Sequence, residues 1–150
     1  MALPSIEKAL KHPSVSGRGV LHLVVLDPEL SLHQCGFDEA LLYEHSIGDA
    51  LHWEVDHAAF AKDKALVSWQ HQMDSRRAVL LRHYWLTQNE TMLWGGVWLD
   101  GIVVAASGAM PAWDEAFSLM VASNLRAIRL QEAWAQPMAD TSAKARRPPE

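Results

Sequence analysis

Histidine is the residue type that first suggests chemistry in this chain, with eight in 150 residues. His57, Lys64 and His71 are spaced by sevens, so on a helix they fall along one stripe, nearly two turns apart. An imidazole can ligate a metal ion, and a lysine ammonium can pair with a carboxylate. The plainer alternative is a half-solvated helix face. His83, beside Tyr84 and Trp85, is a further ligand candidate. His52, Glu54 and Asp56 would share one face of an extended segment, and their types suit a divalent cation. Their spacing matches no standard site, however, and an exposed polar connection is the better reading. The candidate metal ligands are therefore His57, His71 and His83.

No nucleophile motif accompanies them. Ser107-Gly108 closes an apolar run without the Gly-x-Ser-x-Gly elbow, so Ser107 reads first as a hydroxyl that satisfies a backbone group. Gly95-Gly96 is too short for a phosphate-cradling loop and reads as a close backbone approach within a sheet.

The element that must position the remaining candidates runs from Trp94 to Phe117. Asp100-Gly101 lies between two apolar runs, and a type I′ turn needs positive φ at both central residues. With those two as the loop, Leu99 faces Ile102, Val97 meets Val104 and Gly95 meets Ala106. On the other face Trp98 meets Val103, Gly96 meets Ala105 and Trp94 meets Ser107. That second face would carry two indoles flanking a gap floored by Gly96 and Ala105, with Ser107 at its rim. Such a slot suits a planar ligand or a partner chain. The ligand-binding candidates are accordingly Trp94, Gly95, Gly96, Trp98, Ser107 and Lys64.

The same residues carry a family resemblance. Gly95-Gly96, an aliphatic strand ending in Ser107-Gly108, and the helix start Asp114-Glu115-Ala116 occur in an order that resembles the GlcG/HbpS-like haem-binding family. Ala61-Lys62-Asp63-Lys64-Ala65 is similar to that family's A-x-x-K-A helix motif, and Val24-Val25-Leu26-Asp27 to its apolar strand. The likeness spans roughly residues 20 to 130. It departs where Val97-Trp98 follow Gly-Gly in place of a proline, and where Ala105-Ala106 replaces a glycine-containing segment. About ten extra residues also lie between Asp27 and Lys64. The resemblance implies homo-oligomeric assembly and a haem or other small planar ligand; for haem, His57, His71 and His83 are the axial candidates and Lys64 could pair with a propionate.

Composition bounds the rest. The length suits one domain able to bury its own core. A net charge of −5 argues against nucleic acid as a partner. One cysteine, Cys35, excludes an internal disulfide and suits a reducing compartment. No secretory leader or membrane-length apolar run is evident, so the expectation is a cytoplasmic protein without a membrane partner.

Along the chain, Pro4 to Glu7 starts a short helix that His12-Pro13 stops. Val20 to Leu26 reads as a central strand buried on both faces, with His22 a satisfied core histidine. Leu30 to Phe37 reads as the returning strand, and 38–56 as an insertion with a helical turn near its start. Asp56 caps a helix of about His57 to Gln72, and a second helix begins at Ser75 with Val79, Leu80 and His83 on its inner side. A helix from Pro111, apolar around most of its circumference through Phe117, Leu119, Met120, Val121, Leu125 and Ile128, should be largely buried and end before Pro137. The last residues, 137–150, read as a disordered tail, and no heptad array is evident.

The fold class expected is α/β in the sense of α+β layers, an antiparallel sheet of about five strands flanked by helices. The function expected is binding of haem or another small planar ligand by a homo-oligomer without strong catalytic machinery. The alternative is a small catabolic or biosynthetic enzyme using His57, Lys64 or His83 as acid or base on an aromatic or hydroxy-acid substrate. A structural subunit using the indole face as an interface is a third reading.

Overall fold

The computed structural model describes residues 1–88 and 90–135. The unbroken apolar run after Val20 forms β1 (Leu21–Leu26), every residue of which is buried. Its partner, β2 (Leu41–Ile47), follows a short helix α2 (Phe37–Ala40). The Asp100-Gly101 hairpin supplies β3 (Gly96–Leu99) and β4 (Ile102–Ser107). The four strands form one antiparallel sheet in the order β2-β1-β4-β3.

The hairpin has the register that its turn dictates. Asp100 and Gly101 both have positive φ, at 51° and 85°. Gly96 pairs with Ala105, Val97 with Val104, Trp98 with Val103 and Leu99 with Ile102. The pairing reaches Gly95, whose carbonyl accepts from the Ala106 amide, whereas Ser107 pairs with His22 of β1.

Five α-helices accompany the sheet among the described residues. α3 (His57–His71) is capped by Asp56, whose carboxylate accepts from the Ala59 amide at 2.9 Å. It covers the sheet face carrying Val24, Leu26, Val103 and Ala105, bringing Ala61, Ala65 and Trp69 down onto it. α5 (Pro111–Ala135) and α1 (Ala2–Leu10) cover the opposite face, where Leu23, Val25, Val97 and Val104 meet Ala122, and Leu21 and Ala106 meet Ile6, Leu10 and Phe117. α4 (Ser75–Arg82) lies beside β3. There Ser75 Oγ accepts from the Gly96 amide and Asp74 from the Trp98 amide, each at 3.0 Å, so outward donors of this edge strand are satisfied.

The sheet has four strands where about five were expected, and the differences have local causes. The segment expected to return as a strand from Leu30 folds into turns instead. Asp27 Oδ1 accepts from the Glu29 amide, Gln34 Oε1 from the Ser31 amide, and Glu39 Oε2 from the Gly36 amide. The returning strand is β2, inside what reads as an insertion. Its middle, Glu44-His45-Ser46, is polar and most of it is exposed, because it is an edge strand and only partly covered. Leu80 and His83, expected on an inner side, are exposed. α5 is covered on one side only, so Leu119, Met120 and Ile128 are exposed. The expectation for 137–150 lies outside the described residues.

Candidate functional site

Two places gather the residues singled out above, and they differ in access. The first is the contact between α3, the start of β3 and the N-terminal turn of α5. Lys64 is buried, and its ammonium donates to the Ala106 carbonyl and to Asp114 Oδ2, each at 2.9 Å. Asp114 Oδ1 accepts from the Ala109 amide, and Ser118 Oγ donates to the Gly95 carbonyl. Burial pushes the Asp114 carboxyl up and the Lys64 ammonium down from their ordinary values, while their mutual attraction pulls each back. A Cβ on Gly96 would stand 2.4 Å from the Lys64 carbonyl oxygen, and one on Gly95 would meet the Asp114 Cβ at 2.9 Å. These glycines are seats for the α3 backbone and for the ion pair.

That geometry corrects the proposed slot. The gap at Gly96 and Ala105 is filled by the protein's own helix α3, because a glycine opposite an alanine lets a helix backbone settle onto the sheet. Trp98 is half-buried and packs on the cluster containing Trp69, while Trp94 is half-buried and precedes the strand. Lys64, held by Asp114, has no free charge to offer a propionate. The histidines do not converge. His57 and His71 sit at opposite ends of α3, about 21 Å apart along its axis at 1.5 Å per residue. His71 Nε2 is bound to Glu90 at 2.6 Å, and His83 stands exposed against Tyr84. Among the described residues no three His, Cys, Asp or Glu side chains gather to hold a metal ion.

The second place is open. At the N-terminal end of α3, Arg18, Val20, Asp49, Trp53, Glu54 and His57 line a pocket of about 430 Å³. Three elements build it: the loop entering β1 brings Arg18 and Val20, the residues around a short 3₁₀ turn (Ala50–His52) bring Asp49, Trp53 and Glu54, and the first turn of α3 brings His57. Behind it, Trp53 packs edge-on against both His57 and His22, with ring centres 5.2 and 5.9 Å apart. Ser107 Oγ lies 3.5 Å from His57 Nδ1. His22 is held by Ser46 at 2.9 Å and by Glu44 at 3.1 Å. Burial acts to raise the Glu44 pKa, but hydrogen bonds with Lys62 and His22 outweigh it and hold the carboxylate below its ordinary value.

Three properties bear on what the pocket can bind. Burial lowers the His57 pKa, and the positive charges of Lys64 and Arg18 lower it further against a weaker pull from Asp56, which favours a neutral imidazole near pH 7. The Trp53 Nε1 donor is buried and has no acceptor among the described residues, an arrangement that costs about 1–3 kcal/mol unless something supplies one. At the pocket mouth Arg18 holds the Glu54 carboxylate at 2.6 Å, yet both side chains are more than half exposed. An ion pair so exposed contributes at most about 1 kcal/mol, so a competing carboxylate can displace Glu54.

Of the residues weighed from sequence, His57 and Glu54 line this pocket, and Ser107 lies behind His57. Arg18 and Trp53 escaped notice because neither lies in a periodic segment or a motif. Ser107 is buried, and among the described residues no carboxylate is hydrogen-bonded to His57 to orient it, so the pair lacks the parts of a nucleophilic site. The lining also suits haem poorly: only Val20 and Trp53 offer apolar surface, against three charged side chains and an imidazole. An apolar groove of about 300 Å³ between α1, β2 and α5 has Asn124, already donating to the Met120 carbonyl, among its lining residues. No helix among the described residues is long and apolar enough to cross a membrane. No protein-family model matches the chain, and no curated protein matches it.

Proposed function

We propose that this chain is a small-ligand-binding protein of the GlcG/HbpS-like type whose ligand is a small planar molecule bearing a carboxylate. The observation that carries the reading is the buried, unpartnered Trp53 indole N–H in a residue lining a pocket where a guanidinium already holds a carboxylate. The ligand's anionic group would replace Glu54 on Arg18, its ring would lie on Trp53, and neutral His57 would exchange a hydrogen bond with it. The family part of the proposal draws on a convergence: Gly95-Gly96, Lys64 and Asp114, which lie in three separate motifs, meet at one buried contact. Haem remains a rival ligand, with His57 its one axial candidate beside the pocket.

The test is a thermal-shift series with benzoate, 4-hydroxybenzoate and haemin. An aromatic carboxylate should raise the melting temperature of the wild type, should fail to do so with Arg18→Ala or Trp53→Ala, and should bind more tightly to Glu54→Gln. Stabilisation by haemin alone, lost in His57→Ala, would transfer the pocket to haem. No response to any of the three would remove the reading. The contact between Ser107 and His57 favours one second possibility, a small enzyme using His57 as acid or base. Turnover abolished in His57→Ala while binding persists would establish it.

A further inference from the structure

Once the buried side of α5 is accounted for, a second pattern stands on its outer side. Asp114, Phe117, Ser118, Val121, Ala122 and Leu125 face the body of the protein. On the opposite side Trp113 leads a row continued by Ala116, Met120, Ser123, Ala127, Leu130 and Trp134. The steps along the row alternate three and four residues, which is the spacing of a coiled-coil seam. Ser123 is the row's one polar member, and a helical serine hydroxyl can bond a carbonyl one turn back, leaving a small side chain at the surface. The five charged residues of the helix, Asp114, Glu115, Arg126, Arg129 and Glu132, all lie off this stripe. Sequence periodicity alone hides the seam, because the inward apolar residues fill the positions between its members.

The seam is uncovered. Trp113 is 41% exposed, Met120 38%, Leu130 63% and Trp134 82%. Every residue from Ala127 to Ala135 is exposed: on the body side Arg129 is bound to Glu29, and Leu130 and Ala133 border the hairpin at Asp100 and Ile102, while the outer side stands in solvent. Helical turns so exposed draw little stability from propensity alone and need an apolar face to pack. A largely apolar solvent face without a charge is equally unlike the surface of a monomer.

We propose that α5 pairs with α5 of a second copy of this chain, antiparallel, along this seam. In the register centred on Leu125, Trp134 of one copy meets Ala116 of the other, Met120 meets Leu130, and Ser123 meets Ala127. Trp134 of each copy then opposes an alanine, and the two helices approach closest beside the midpoint, where serine and alanine face each other. Arg126, which flanks the midpoint, is already held by Asp100 of its own hairpin at 3.2 Å. With about 150–250 Å² for each large apolar side chain, the exposed parts of Trp113, Leu119, Met120, Leu130 and Trp134 come to roughly 550 Å² per copy. Two copies would hide roughly 1,100 Å² before the alanines, Ser123, Asn124 and Gln131 are counted, which brings the pair to the size at which stable interfaces begin. The pairing stands apart from the ligand reading, since the pocket is built by the first turn of α3 and the loops beside β1.

Sedimentation equilibrium of the full chain at micromolar concentration tests the pairing. The expected mass is twice the 16.7 kDa of one chain. Leu130→Glu, at a largely exposed position of the last turns, should weaken the dimer by more than about tenfold while leaving the melting transition of the monomer and its far-UV spectrum in place. Orientation is read by cysteines in a Cys35→Ser background. A mixture of Ser123→Cys and Ala127→Cys chains should form a disulfide that neither forms alone. A monomer at these concentrations, or a dimer indifferent to Leu130→Glu, would overturn the proposal. Cross-linking of each single-cysteine variant with itself would overturn the antiparallel register.

Discussion

Two of the basic side chains on helix α3 stand in opposite circumstances. His57, at its first turn, borders an open pocket among charged and aromatic residues. Lys64, two turns further on, is sealed between β4 and α5 and bound to Asp114. By sequence both stand on one stripe and look equally available for chemistry. The difference teaches that the sheet, more than the helix, decides which becomes a site: Gly96 draws the middle of α3 onto β3, while the first turn of the helix borders the open pocket.

The comparison can be broken most forcefully at the sealed end. Lys64→Met leaves a carboxyl buried without its partner and should cost about 3–5 kcal/mol in urea unfolding. Burial already holds the Asp114 pKa above its ordinary value, and loss of Lys64 raises it further. A group with a raised folded-state pKa is favourable to the fold below its unfolded value and loses that contribution as pH rises through the folded one. The deficit of Lys64→Met should therefore be smaller at pH 4 than at pH 7, and Lys64→Met/Asp114→Leu should recover most of it. A loss independent of pH would show that the carboxyl is not the stranded group.

Gly96→Ala comes next, at about 3 kcal/mol, because its Cβ would meet the Lys64 carbonyl at 2.4 Å and helix backbone cannot give way cheaply. At the open end the effects should be smaller. His57→Ala should change stability by less than about 1 kcal/mol while altering ligand affinity. The smallest effect is on titration. The His57 midpoint should lie below 6.5, and Arg18→Ala should move it upward by removing a positive neighbour. Since the unfolded chain takes up that proton first, the His57 contribution to stability should be intact above pH 6.5 and fall as pH drops below it. Histidine ring shifts followed by NMR would report both.

Much of the scaffold was legible in the chain. Asp100-Gly101 set the hairpin and its register, Asp56 marked the start of α3, and the apolar run at Leu21–Leu26 marked the central strand. What was not legible was which faces would be covered. Gly96 declares that something approaches closely, but a bare backbone position cannot say whether the neighbour is a ligand or a helix. The edge strand β2 was hidden by its own polar residues, and α5 looked buried all round because its two apolar faces overlap in sequence. Trp53 and Arg18 are brought to His57 by turns, which leave no periodic trace.

If the open end of α3 is the site, ligand enters beside His57 and Trp53 and is kept out of the hairpin. Indole N–H resonances of the ¹⁵N-labelled protein, assigned through Trp53→Phe, Trp94→Phe and Trp98→Phe and followed during benzoate titration, test this most directly. The Trp53 signal should shift to saturation while those of Trp94 and Trp98 stay in place. Movement of Trp94 and Trp98 with an unmoved Trp53 would contradict it.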